Sequence, residues 1–290
     1  MTGPVLSLRG VCKSFPQGGL LDRLLGRDDR LVALDDVSLD VMRGDVVGIV
    51  GESGSGKSTL AGLAVGLARP TSGEVLLDGV PMAKLMRDHA GPWRRRVQMV
   101  FQDSSSALNP RKSVDRCLGE TLALQGVPRA QREREIAELL TLVGLGPEIG
   151  PRLPHELSGG QRQRIGLARA LAMKPEVLIA DEPVSALDVS LQAQVINLLS
   201  RLARELGLTL LFISHDLALV RTLCSRIVVM RKGAIVEQGP CLEVLDRPQH
   251  PYTQALIAAV PKGLAGRRTP LPVRADAAAP ETREEIHGAA

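Results

Sequence analysis

Apolar residues recur along the chain with two different periods. Val5–Val11 and Val37–Val41 alternate, the second placing Val37, Leu39 and Val41 on one face, as half-buried strands do. Val46–Val50 is a short β-prone run ending at Gly51, and a helical stretch then carries Leu60, Leu63 and Leu67 towards Arg69-Pro70. Glu74–Leu77 followed by Asp78-Gly79 predicts a strand and a hairpin turn, and Val97–Phe101 another buried strand. From about Asn109 to about Pro154 the period becomes helical. There Ile136, Leu139, Leu140 and Val143 sit at i, i+3, i+4 and i+7, opposite the charged stretch Gln131–Glu135. Strands return at Val177–Ala180, Leu208–Ile213 and Ile227–Met230, the first two separated by a helix carrying Leu191, Val195, Leu198, Leu199 and Leu202. This alternation predicts a parallel α/β core into which the middle helical block is inserted.

Composition narrows the picture. The longest apolar runs, such as Leu60–Ala68 and Leu208–Ile213, fall well short of the roughly 20 residues a membrane span needs. No basic stretch leads into an apolar one at the N-terminus, so neither a span nor an export signal is expected, and the chain reads as soluble and intracellular. Cys12, Cys117, Cys224 and Cys241 form no CxxC pair and are expected to be reduced thiols. Aromatics make up 2% of residues, too few for a protein that stacks single-stranded bases on several platforms, so no nucleic-acid partner is expected. The net charge of +4 permits an anionic ligand without demanding one. Beyond Pro261 the composition of Pro, Ala, Arg and Glu predicts a flexible tail over 263–290.

The chemistry begins at Gly51. The run Gly51-Glu52-Ser53-Gly54-Ser55-Gly56-Lys57-Ser58, followed by Thr59, matches the G-x-x-x-x-G-K-[ST] phosphate loop, and it follows a strand and opens a helix. Glycines let backbone N–H groups converge on phosphate oxygens at a helix N-terminus. Lys57 is expected to reach the β- and γ-phosphates of ATP and Ser58 to hold Mg²⁺. Such a site needs carboxylates at a strand end, and Val177–Ala180 runs into Asp181-Glu182-Pro183. Asp181 is assigned to Mg²⁺ through water and Glu182 to the attacking water as its base. Alone, this triplet reads as a capped turn. Beside a phosphate loop, the cation removes the objection of two facing carboxylates.

Here the chain resembles a known family. Leu157-Ser158-Gly159-Gly160-Gln161, shortly before Asp181, is similar to the signature motif of ATP-binding-cassette (ABC) ATPases. The resemblance implies a P-loop NTPase core over residues 5–247, with an α-helical subdomain inserted at about 109–172 and an antiparallel β-subdomain. It also implies roles for single residues. Gln102 takes the place of the lid glutamine at Mg²⁺, Ser185–Asp188 the D-loop, and His215 the switch histidine at the γ-phosphate and Glu182. Phe15 stands where the family stacks an aromatic on adenine, without the hydroxyl of the commoner tyrosine. A satisfied core histidine and an ordinary core phenylalanine are the alternatives. Ser158-Gly159-Gly160 opens a helical run, Gln161–Ala172, and so forms a second anion site. The resemblance implies that a second cassette, identical or a sister chain, presents its ATP there; a glycine-rich helix start used only for packing is the alternative.

Two stretches narrow the resemblance. Gln102–Pro110 is similar to the lid loop of oligopeptide, dipeptide and nickel importer ATPases, and Met99–Asp103 with Asn109–Ser113 is especially similar to the nickel group. The segment 248–262, with Gln249-His250-Pro251-Tyr252, resembles the same group's C-terminal segment, though alone it reads as a proline turn before a helix. The insertion between Phe15 and Arg30 also fits. The tail has no cysteine, so an iron–sulfur cluster is not expected. The resemblance implies an ATPase subunit peripheral on the cytoplasmic face of the inner membrane. Its partners would be permeases gripping the Gln102–Asn109 loop and helical subdomain, with a solute-binding protein acting indirectly. The alternatives are a soluble ABC ATPase or an accessory ATPase of a carbon–phosphorus-cleaving assembly.

Overall fold

The computed structural model describes residues 3–16, 30–87, 92–102, 108–185 and 187–259. The insertion after Phe15, most of the Gln102–Pro110 loop, Ala186 of the D-loop stretch and the tail lie outside the described residues.

Two sheets organise the rest. An antiparallel sheet contains β1 (Leu6–Pro16), β2 (Arg30–Val41), β4 (Ser72–Leu77) and β5 (Val80–Pro81), in the order β2-β1-β4-β5. The second contains β3 (Val46–Val50), β6 (Val97–Val100), β7 (Val177–Asp181), β8 (Thr209–Ile213), β9 (Arg226–Arg231) and β10 (Ala234–Pro240), in the order β10-β9-β3-β8-β7-β6. All its neighbours pair in parallel except the antiparallel edge strand β10. Helix α1 (Lys57–Ala64) follows β3, while α2 (Met82–Arg87) and α3 (Pro92–Arg96) lead into β6. Between β6 and β7 lie α4 (Val114–Gln125), α5 (Arg129–Leu142) and α6 (Gly159–Leu171). Helix α7 (Val189–Leu206) precedes β8, α8 (Leu217–Leu223) precedes β9, and α9 (Cys241–Asp246) and α10 (Pro251–Ala258) follow β10.

The parallel sheet divides the apolar interior in two. Leu178, Ala180, Leu210, Phe212, Ile227 and Val229 face a core shared with α4–α8. Their alternate neighbours Val177, Ile179, Leu211, Ile213, Val228 and Met230 face a core shared with α1 and the antiparallel sheet. A strand buried on both faces needs apolar residues at every position, which is why these segments read as uninterrupted runs. The period assigned to α5 holds: Ile136, Leu139, Leu140 and Val143 are all buried. Ser113 caps α4 by accepting from Arg116 N–H, and Gly126 ends it in the left-handed region.

The strands β1 and β2 extend beyond the predicted 5–11 and 37–41. Their pairing continues to Phe15 with Leu31 and Pro16 with Arg30 through register shifts, so the alternation visible in sequence is lost while the backbone ladder persists. The edge strand β10 is half-exposed and its residues lack an apolar period.

One ion-pair cluster ties the two sheets together. Arg43, after β2, bonds Asp78 at 2.6 Å and also Glu176; Arg96, at the end of α3, bonds the same two carboxylates, including Glu176 at 3.0 Å. The Arg96 hydrogen bond, followed by that from Arg43, holds the Glu176 carboxyl below the usual glutamate range against the opposing effect of burial. A depressed folded-state pKa stabilises the fold above the unfolded-state value, about 4.3, and the contribution is lost as pH falls below it. Glu176→Gln is therefore expected to lower stability by about 1 kcal/mol at pH 7, after allowing for screening of a partly exposed group. It should also flatten the decline of melting temperature between roughly pH 5 and 3. Thermal melts of both proteins across that range check it; parallel acid limbs would remove Glu176 from the account.

Candidate nucleotide site

The phosphate loop, Gln102, Asp181, Glu182 and His215 gather at the carboxyl ends of the parallel strands, where open α/β sheets bind ligands. Strand β3 ends at Gly51, β7 in Asp181-Glu182, and β8 in Ser214-His215. Parallel pairing of Ile49 with Ile213 and of Asp181 with Ile213 brings these ends to one level. Gln102 lies two residues past Val100, whose partner is Ala180, so the register gives it the same height as Glu182; it is exposed.

The phosphate loop is a backbone structure in which side chains have little room. Gly51 has φ +150° and a Cβ there would lie 2.2 Å from the Met230 carbonyl oxygen; Gly56 has φ +103° and its Cβ would lie 2.6 Å from that of Ala33. Only glycine meets both conditions. Gly233, in the β9–β10 turn, donates its N–H to the Ser55 carbonyl at 3.0 Å. Lys57 Nζ donates to the carbonyls of Gly51 and Glu52, both at 2.8 Å. The side chain of Ser55 is buried with its Oγ unpaired. Ser53 and Gly54 carry the tip of the loop, with Gly54 at φ +78°, and Ser58 and Thr59 lie in the first turn of α1.

Lys57, Ser58, Asp181 and Glu182 interact. Burial pushes the Lys57 ammonium down, opposed by the charges of Glu182 and Asp181. Burial pushes the Asp181 carboxyl up, opposed by a hydrogen bond from Ser58 and reinforced by Glu182. Glu182 has φ +45°, unusual outside glycine, and its N–H donates to the Ile213 carbonyl at 3.0 Å. Its Oε2 lies 3.5 Å from His215 Nδ1. The His215 side chain is 65% exposed and therefore not a core histidine. Its turn is set by Asp216, whose N–H donates to Ser214 Oγ and whose carboxylate caps α8.

The remaining residues occupy other elements. Ser158 is the N-cap of α6: its Oγ accepts from Gln161 N–H at 3.2 Å, and Gln161 Oε1 accepts from Ser158 N–H at 2.9 Å. The helix starts at Gly159, two residues before the predicted run. Gly160 packs on α7, where an added Cβ would lie 3.2 Å from Leu191. Phe15 is 41% exposed on β1, opposite Leu31, with Lys13 Nζ 5.0 Å from its ring centre. An exposed ring at a strand end is not an ordinary core position.

One contact had no counterpart in the sequence reading. His250 caps α10, its Nδ1 accepting from Tyr252 N–H at 3.1 Å, and the Tyr252 hydroxyl accepts from Glu52 N–H at 3.1 Å. The signal was His250-Pro251-Tyr252, but nothing in the sequence says where the tyrosine points.

Comparison with known proteins points to one family. The ABC transporter family profile matches residues 34–185, and that of the oligopeptide/dipeptide transporter C-terminal region matches 236–288. The oligopeptide transport ATP-binding protein AppF of Bacillus subtilis is 47% identical over 260 residues, covering 89% of this chain and 78% of AppF. A Brucella ovis protein named for peptide import and ATP binding is 46% identical over 267 residues, covering 92% of this chain and 81% of that protein. The dimeric post-hydrolysis structure of the ATP-binding cassette MJ0796 bound to ADP and Pi superposes with a TM-score of 0.69 at 29% identity, covering 81% of this chain and 98% of that one. With this fold, phosphate loop and C-terminal segment, the chain belongs to the ABC transporter family and carries the C-terminal region of its oligopeptide/dipeptide members.

Proposed function

We propose that this chain is the ATP-hydrolysing subunit of an importer for peptides, nickel or related small solutes. The observation that carries the reading is the meeting of Lys57, Ser58, Asp181 and Glu182 below a loop of glycine amides, with His215 beside Glu182. The peptide names of the relatives favour a peptide solute, whereas the nickel reading rests on the Met99–Ser113 stretch.

Among the described residues no cluster of three or more His, Cys, Asp or Glu could cage a metal. The Ser58–Asp181 pair instead suits Mg²⁺, which prefers one or two protein oxygens completed by phosphates and water. Ser58 and Asp181 would hold that ion, with Gln102 contributing from the β6 end, and the ion would neutralise charge on the phosphates. The chain's own residues do the rest. Loop amides beyond the Glu52 N–H, which Tyr252 holds, cradle the phosphates, Lys57 turns from the loop carbonyls to the β/γ-oxygens, and Phe15 stacks on the base. Glu182 accepts the proton of the attacking water, oriented by His215.

Ser158, Gly159, Gly160 and Gln161 present a helix N-terminus to the γ-phosphate on a second cassette, and the dimeric cassette structure supports that pairing. Among the described residues no helix is long and apolar enough to cross a membrane. Membrane attachment is therefore assigned to permease partners, gripped between the Gln102–Asn109 loop and the helices inserted after β6.

Lys57→Ala should weaken ATP binding on the order of 100-fold, the loss of roughly 3 kcal/mol of charge-assisted bonding, while the fold survives. Near wild-type affinity in a fluorescence titration would defeat the phosphate-loop assignment. Glu182→Gln keeps shape but removes the base, so hydrolysis should fall about 10²–10⁴-fold while ATP stays bound. Light scattering in Mg²⁺–ATP, with the cognate cassette present, should then show a stable dimer that returns to monomer in ADP and is broken by adding Ser158→Arg. A monomer in saturating ATP would sink the pairing, and unchanged hydrolysis the base.

A further inference from the structure

We propose that Tyr252 is a positioning residue of the phosphate loop, holding the Gly51–Glu52 peptide in place while nucleotide is bound. The inference rests on the assignment of that loop to ATP.

A peptide unit is planar, so its N–H and its carbonyl turn together. In the Gly51–Glu52 unit the N–H donates to Tyr252 Oη at 3.1 Å, and the carbonyl accepts from Lys57 Nζ at 2.8 Å. The unit is thus clamped from both sides. When Lys57 swings to a phosphate its bond to the carbonyl weakens, and the tyrosine hydroxyl remains as the restraint against rotation. Because Gly51 is a glycine at φ +150°, no Cβ of its own opposes a flip. A flipped unit at the start of the loop would misdirect the amides that follow it.

Tyr252 is suited to this by being fixed itself. Its residue is only 7% exposed, and the Arg231 guanidinium lies 4.9 Å from the ring centre. Its own N–H is held by His250 Nδ1, and the Gln249 and His250 N–H groups donate to Glu237 on β10 at 2.8 and 3.1 Å. Arg231 and Glu237 flank the Lys232-Gly233 turn, whose glycine donates to the Ser55 carbonyl. The same hairpin therefore braces the loop directly and carries the platform for the tyrosine. A residue that merely anchored α10 would need the ring and not the hydroxyl; here the hydroxyl reaches the loop across 200 positions of sequence.

Coupling is reciprocal, so nucleotide must act on Tyr252 if Tyr252 acts on nucleotide. Tyr252 is the only tyrosine of the chain, and a single ¹⁹F resonance from incorporated 3-fluorotyrosine reports on it alone. On titrating the full chain with Mg²⁺–ADP, the resonance should move with the midpoint found by displacement of a fluorescent ADP. Tyr252→Phe, which keeps the ring, should raise the dissociation constants for ADP and ATP about 3- to 10-fold, the worth of one hydrogen bond. If ADP binds but the resonance stays still, or if the phenylalanine variant binds as wild type, Tyr252 only anchors the helix and the proposal is overturned. Failure of the wild type to bind ADP, or wild-type affinity in Lys57→Ala, would instead overturn the phosphate-loop assignment.

Discussion

Everything in this molecule is arranged around one backbone requirement. A loop that turns successive amides towards an anion must leave its carbonyls pointing outward, and buried peptide groups need partners. Lys57 and Gly233 meet the carbonyls of Gly51, Glu52 and Ser55, while Tyr252 meets the outward N–H of Glu52. The loop also has no room of its own. The carbonyls of Ala33 and Met230 come so close to Gly56 and Gly51 that a methyl group would collide with either. The phosphate loop is therefore a product of β2, β9, the β9–β10 turn and α10 as much as of its own residues.

The same logic explains why the domain needs two cores. The three strand ends that carry the site belong to β3, β7 and β8, with β8 between the other two, and their relative height is set by ladder register. Apolar side chains on both faces hold that register, since a slip of one residue would exchange the two cores. The Arg43, Arg96, Asp78 and Glu176 cluster joins the antiparallel sheet to the opposite, amino-terminal side of the parallel one. Within this frame Glu182 is kept at positive φ, which for a residue with a side chain costs about 1–3 kcal/mol. Its N–H bond to Ile213 and the Ser185 N–H bond to its carbonyl hold it there. In this conformation the carboxylate lies beside His215.

What could be read from sequence was what local chemistry decides. The runs Val46–Val50 and Val177–Ala180 announce buried strands, Gly51–Ser58 a phosphate loop, and Ser158-Gly159-Gly160 the opening of a helix, because each depends on residues a few positions apart. The β9 partner strand Ala234–Pro240 carries no such signal, since a half-exposed edge strand needs no apolar period. The far halves of β1 and β2 were hidden by bulges that break alternation while preserving pairing. Tyr252 was visible as part of a motif and not as a contact. Its partner is a backbone N–H, which any residue but proline at position 52 would supply, so the sequence of the loop carries no trace of it.

The Ser158–Gly160 turn and Glu182, the proposed base, both lie against the segment that leads into α7. Gly159 and Gly160 lie against Leu187 and Leu191, so the start of α6 rests on the start of α7. Asp188 caps α7 by accepting from Leu191 N–H, and Gln192 donates to the carbonyls of Val184 and Leu187. Ser185 in turn bonds the Glu182 carbonyl through both its N–H and its hydroxyl. Hydrogen bonds thus link Glu182 with Ser185 and Gln192 with Val184 and Leu187, and one added methyl at Gly160 would press on Leu191. In the proposed pairing, Ser158–Gly160 face a γ-phosphate bound by the partner. Small residues at the signature seat α7 closely, and in the proposed pairing they would also leave room for the partner's phosphate.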